Sequence, residues 1–364
     1  MTKPRPHRRR DAARHLLHPH QFRDSASLNR AGWARNSAIA GAQAALTVLI
    51  ALPFFYYVSP WPHLIGFASL GALIALFGRF DGKAQRRGRL FLCGLIQVGG
   101  VGLLSLAAWS GLSLEWQLAC LALLCGLLFL LGTALRFGPP GPLIFVFAAS
   151  ASVSADGITS QQLVERVAAV AAVAALAWIL AVLSDRFRDE AEGQAIAPKP
   201  DIKPLLIASA RCALGAGLAI GISHALGGTH PAWAAMGVMA VLQGPYLHVV
   251  MNRALQRMGG TVIGAILAWL LLSLSPDVLV VILVLALLQT ATEMVIGFNY
   301  ALGQIFVTPM ALLMTWLGAA QMVGPEIAPE RVIETCLGAV VGVLLAVVFS
   351  TLDDREHLAK VRGR

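Results

Sequence analysis

The sequence predicts an all-α, polytopic membrane protein of about twelve transmembrane helices, and three observations carry that expectation. Of its 364 residues, 57% are hydrophobic and only 13% charged, against about 25% charged in a soluble domain. Apolar runs of spanning length recur between residues 36 and 351, a spanning helix needing about 20 such residues. Lysines and arginines fall at the ends of these runs, as in chains whose orientation is fixed by cationic anchors.

Turn breakers and charges bound the spans. The first half gives 36–58, 61–79, 89–109, 114–135, 140–155 and 163–184, and the second gives 205–226, 231–249, 255–275, 277–296, 299–317 and 329–351. The fifth is short and opens on GPPGP. The domain organisation that follows is a basic tail (1–35), a first six-helix repeat (36–184), a polar linker (185–204), a second repeat (205–351) and a short tail (352–364). With the N-terminus inside, 26 of the 28 Lys/Arg lie on the inner side and only Arg166 and Arg331 on the outer. The positive-inside rule then makes both termini cytoplasmic.

Residues 165–182 read ERVAAVAAVAALAWILAV, and residues 330–347 read ERVIETCLGAVVGVLLAV, an offset of 165. Pro62 to Arg89 matches Pro231 to Arg257 in spacing, and Ile144-Phe145-Val146 matches Ile305-Phe306-Val307. Six spans per half is an even number, so the repeat is parallel, and a transport path is expected where such halves meet.

In NRALQRMGGTVIGA (252–265), Arg253 and Arg257 are four residues apart on one helix face. They are first an orientation anchor and second a capture site for an anion. Gly260/Gly264, Gly217/Gly221 and Gly338/Gly342 have the GxxxG spacing that lets helix backbones approach closely.

The stretch HPAWAAMGVMAVLQGPYLHVVMNRALQRMGGTVIGAILA (230–268) resembles the signature of the fusaric acid resistance protein-like family, related to the aromatic acid exporters. The resemblance rests on Trp233-Ala234, Gln243 with Pro245, Arg253 and Arg257, Gly260-Thr261 and Gly264. It covers about 205–350, with Tyr300 and Thr308 also in place; the first half carries RFDGKAQRRGR with no Gly-Thr after it. The family implies export of small organic, often aromatic, acids across the bacterial inner membrane, and distant relatives include plant anion channels of the malate type.

The spans at 140–155 and 299–317 are short and proline-interrupted at corresponding places in the two halves. Paired broken helices free backbone groups for a ligand. Tyr300, Gln304 and Thr308 offer contacts in one, and Ser150, Ser152 and Ser154 in the other. The alternative is an ordinary kinked helix with its hydroxyls bonded to its own backbone. Thr261, beside Gly260, is a weaker ligand candidate. Glu293 is a candidate proton carrier, though pairing with Arg211 or Arg257 is the simpler reading. Gln43, Gln97 and Gln289 are either interhelical glue or the lining of a polar path.

No phosphate loop, catalytic triad or HExxH motif is visible, so neither an enzyme nor a cofactor is expected. The five cysteines lie within apolar runs, and His15, His18 and His20 read as a solvated tail, so no metal is expected. The net charge of +9 is spread over span ends rather than gathered in a basic groove, which excludes nucleic acid as a partner. The long basic leader and spanning-length first run speak against a cleavable signal peptide. The expected partners are the lipid bilayer, a small organic anion and, for the basic tail, anionic lipid. A proton-driven exporter is the leading expectation; an anion channel and a non-transporting membrane scaffold are the alternatives.

Overall fold

A computed structural model describes residues 9–27, 34–79, 81–138, 140–189, 201–244, 246–351, 354–355 and 358. Its helices are α1 (Arg9–Leu16), α2 (His20–Ser25), α3 (Ala34–Pro53), α4 (Ile65–Ala72), α5 (Lys83–Trp109), α6 (Leu114–Ala134), α7 (Leu143–Ser150), α8 (Ser160–Ser184), α9 (Ile202–Ala225), α10 (Ala232–Leu242), α11 (Leu247–Ser273), α12 (Val278–Val295), α13 (Tyr300–Gly318) and α14 (Ile327–Val348). Most of the polar linker and of the C-terminal tail lies outside the described residues.

Among the described residues nine helices are long and apolar enough to cross a membrane. The other three expected spans, the second, fifth and eighth, form shorter elements: Pro62–Leu76, α7 and α10. Their ends are set by backbone chemistry. Beyond α4 the chain turns at Gly78, with φ +72°; a Cβ there would also meet the Arg86 side chain at 2.8 Å. Pro142, after Gly138 and Gly141, caps α7. Every residue of α10 is buried, as are seven of the eight in α4. These apolar helices therefore face protein on all sides, and the lipid-exposed helices surround them.

The long helices pack reciprocally. α3 lies along α12 and α9 along α6; α4 and α5 pack on α8, and α10 and α11 on α14. α4 also meets α13, and α10 meets α7, so the short helices join the two halves. Phe77 stacks on Phe145 at 5.0 Å, and Phe137 meets both edge-on. This trio fixes α7 against the end of the α4 segment.

Glycines set the closest approaches. A Cβ on Gly260 would lie 2.5 Å from the Ala301 carbonyl, and one on Gly264 would lie 2.7 Å from Thr308 Cβ, so α11 and α13 touch backbone to backbone. Gly338 faces the Ala234 carbonyl, and Gly342 faces Val241 at 3.1 Å, seating α14 on α10. A Cβ on Gly217 would meet Ala122 at an ordinary 3.6 Å, and one on Gly221 would face open space. The tight α6–α9 contact is made instead at Gly126, where a Cβ would lie 2.9 Å from the Ser209 carbonyl.

The expected break in the eleventh span is absent: α13 is continuous, with Pro309 inside it. Proline removes the hydrogen bond to the carbonyl four residues back, which belongs to Ile305. That carbonyl faces Gly264, where a Cβ would stand 2.8 Å away.

Candidate functional site

Two cavities lie between the halves. The first, about 760 Å³, is at the end of the bundle that carries the arginine-rich loops. It is walled by α11, α12 and α13, by the ends of the α4 segment and α7, and by Met236 and Gln243. The second, about 630 Å³, is at the opposite end, where Phe67, His230 and Trp233 line it. Among the described residues, Phe147 of α7 is the one that borders both.

The arginine-bearing face of α11 forms one wall of the first cavity. The helix starts at Leu247, eight residues before the expected span. Arg257 therefore stands roughly 15 Å along it at about 1.5 Å per residue, rather than at its mouth. It is buried to 3% exposure, with Nη1 donating to the Tyr300 hydroxyl at 3.1 Å and Nε without a partner. Arg253, nearer the mouth, donates to Gln243 Oε1 at 3.4 Å. Gln304 lines the same cavity with its Oε1 unpartnered.

Arg331 of α14 also reaches this cavity and is 3% exposed. Its guanidinium lies over the Trp233 indole at 4.9 Å. His230 stacks on Trp233 at 4.2 Å and 9°, and its Nδ1 is 3.0 Å from Glu330 Oε2. Arg331 Nε and Nη1 have no partner. Neither Arg257 nor Arg331 is paired with a carboxylate among the described residues. An unpaired charge held in this way carries an effective penalty of several kcal/mol.

The first-half arginines are in a different state. Arg86, fully buried, meets Asp185 at 2.5 Å, and Arg87 meets the same carboxylate at 3.2 Å. Arg89 pairs with Asp81 at 2.9 Å, and Arg79 with Glu293 at 3.3 Å. Arg188 donates to the Arg79 carbonyl; burial and the neighbouring Arg86 charge push it down to about 10. Burial holds the Asp81 carboxyl above its usual range, against the pull of Arg89, Arg86 and Arg188. Arg79, Arg86, Arg87 and Arg89 are thus paired with carboxylates, whereas Arg257 and Arg331 face the cavity with no such pair among the described residues.

Of the residues expected to meet a solute, Arg253, Arg257, Tyr300, Gln304 and Glu293 come together here. Glu293 does pair, but with Arg79 rather than Arg211 or Arg257, because the turn after Gly78 brings Arg79 to the end of α12. Arg211 stands apart on α9 and does not line the cavity. Thr261 and Thr308 are buried off the cavity, each with its hydroxyl unpartnered. Gln97 is glue, donating to the Leu70 carbonyl at 2.5 Å, and Gln43 accepts from Arg86 at 2.5 Å. Ser150 lines the second cavity and donates to the Phe147 carbonyl.

Sequence reasoning missed Arg331, Arg79 and Asn299 as cavity residues. For Arg331 a signal existed, since it is one of two cations that break the one-sided charge distribution.

The family resemblance is borne out over part of the chain: residues 218–345 match the family described as fusaric acid resistance protein-like. This stretch holds Arg253, Arg257, Tyr300, Gln304 and Arg331. An uncharacterised membrane protein of Bacillus subtilis (strain 168), YvaC, is 34% identical over 112 residues, which is 31% of this chain and 18% of that protein. The chain thus matches less than a fifth of that relative's length. No solved structure matches. The chain is a multi-pass membrane protein whose residues 218–345 are similar to the fusaric acid resistance protein-like family.

Proposed function

We propose that this protein exports small organic anions, above all aromatic carboxylates, across a bacterial inner membrane, driven by the proton gradient. The observation that carries the reading is the cavity between the halves, where Arg257 and Arg331 are buried without a carboxylate partner. An anion supplies the missing charge through charge-assisted hydrogen bonds. Leu73, Phe147 and Met310 offer its ring an apolar wall.

On this reading the arginine-rich end is cytoplasmic, both termini are on that side, and Arg253 gathers the anion at the mouth. The twelve segments form two parallel repeats, with the Pro62–Leu76 segment, α7 and α10 as short central members. Three paired features support the repeat. α3 on α12 answers α9 on α6. Arg166 over Phe67 at 5.1 Å answers Arg331 over Trp233. His63 with Glu165 at 3.1 Å answers His230 with Glu330. Alternating access would open the two cavities in turn about Phe147, and Glu293 is the carboxylate on the path. Exposed Arg9, Arg10 and Arg14 on the tail suit anionic headgroups.

Counterflow of radiolabelled aromatic acids in proteoliposomes, with and without a pH gradient, tests the proposal. Uptake accelerated by the gradient and lost in Arg257→Gln is expected. Flux that follows voltage and ignores the pH gradient would replace the exporter by an anion channel, and no flux of any anion would leave a scaffold.

A further inference from the structure

The cavity holds more unanswered positive charge than one carboxylate can balance. Arg257 and Arg331 line the same space, each 3% exposed, with three guanidinium N–H-bearing nitrogens unpartnered between them: Arg257 Nε, Arg331 Nε and Arg331 Nη1.

The neighbouring carboxylates form no ion pair with either arginine among the described residues. Glu293 is paired with Arg79. Glu334, three residues beyond Arg331, does not line the cavity: one of its oxygens accepts from Ser223 at 2.7 Å, the other is unpartnered, and no ion pair joins it to Arg331 among the described residues. Glu330 accepts from Thr229 at 2.7 Å and faces His230.

Both guanidiniums are also held in place. Tyr300 orders Arg257. Arg331 is seated on Trp233, which is backed by His230. Like charges kept together in a low-dielectric space favour a ligand that answers both at once. A monocarboxylate bound to one arginine leaves the other buried and unpaired.

We infer that the site is built for a dianion: a compact organic molecule with two acidic groups, one for Arg257 and one for Arg331, on an apolar skeleton that rests against Phe147 and Met310. The inference deepens the export reading and rests on it. The charge of the preferred substrate is then set by Arg331, the arginine that α14 brings to a site otherwise walled by α11, α12, α13 and the ends of the α4 segment and α7. A residue acting only as an orientation anchor would show no such selectivity.

Equilibrium dialysis of radiolabelled acids against the purified full-length protein at neutral pH tests this, with benzoate, isophthalate and 3-carbamoylbenzoate as probes. The last has the size of isophthalate and one charge fewer. Isophthalate is expected to bind about tenfold more tightly than either monoanion. Arg331→Gln should remove that advantage, so that isophthalate binds no more tightly than 3-carbamoylbenzoate. Arg331→Lys should retain the advantage, which separates lost charge from a damaged fold.

Equal binding of isophthalate and 3-carbamoylbenzoate by the native protein overturns the inference and leaves export of monoanions standing. A dianion preference that survives both Arg331→Gln and Arg257→Gln also overturns it. Absence of binding by all three acids overturns it together with the export reading.

Discussion

Arg79 and Glu293 meet guanidinium to carboxylate at 3.3 Å across 214 residues of sequence, each side chain 5% exposed. Arg79 also donates to the Glu293 carbonyl. Removing one partner of a buried pair leaves the other charge stranded, at about 3–5 kcal/mol. Glu293→Gln is therefore expected to lower the melting temperature in detergent markedly. The double replacement Arg79→Met/Glu293→Leu should recover most of the loss, since apolar substitutes for a buried pair are often neutral. A double variant as unstable as the single one would show that Arg79 acts through contacts other than this pair.

Gly338 and Gly221 have the same GxxxG spacing and opposite surroundings. A Cβ on Gly338 would overlap the Ala234 carbonyl and stand 2.9 Å from Gly237 Cα, whereas Gly221 has nothing within 4 Å. Gly338→Ala forces α14 off α10, and overpacking of this kind typically costs about 1–3 kcal/mol. Gly221→Ala, by contrast, gains helix propensity of up to about 1 kcal/mol. Thermal unfolding of the two variants should move in opposite directions, and a neutral Gly338→Ala would mean that this seam is looser than its geometry.

Helix positions were legible from apolar runs, but helix surroundings were not. A run such as AWAAMGVMAVL has no polar face, so it fits a lipid-facing span and a protein-enclosed helix equally well; α10 is the latter. Its length was misjudged for the same reason, because VLQGPYLHVV continues the apolar pattern through the break. Arg253, Arg257, Tyr300 and Gln304 were found as cavity residues because they share one segment or a strong local signature. Arg331 and Arg79 were missed because their place depends on tertiary pairing, on Trp233 for one and on Glu293 for the other. Charge counting treats every terminal arginine alike, and only the packed structure separates those with a carboxylate from those without.

Asp81, in the connection between the α4 segment and α5, links the arginine-rich end to pH. Burial raises its carboxyl above the ordinary value of 3.8, although Arg89 sits 2.9 Å away. Between the unfolded value and the raised folded one, the folded state binds more protons than the unfolded state. Stability is therefore highest below this window and declines as pH rises through it. Asp81→Asn carries no charge at any pH in this range, so its melting temperature should vary less steeply there than that of the native protein. Parallel slopes for the two proteins would assign the pH dependence to other groups.

The N-terminal segment is strapped over the rim of the cavity by side chains of the second half. Gln256 donates to the Ser25 carbonyl at 2.8 Å, and Asn299 donates to Ser25 at 3.0 Å and to Ser27 at 2.8 Å. Asp24 and Ser27 line the cavity as a result. Each such bond contributes roughly 0.5–1.5 kcal/mol net, so losing all three changes the closed-to-open ratio at least about tenfold. Arg23 is exposed in α2, and cleavage after it needs the local backbone to open. When opening and closing are fast, proteolysis follows the population of the open form. Gln256→Ala/Asn299→Ala should therefore speed tryptic cleavage at Arg23 at least about tenfold, measured by mass spectrometry of the released peptide. Gly221→Ala, far from the strap, should cleave at the native rate. If the double variant is cut no faster than the native chain, α2 is held by its packing on α11, and the three carbonyl bonds contribute nothing to the closure of the rim.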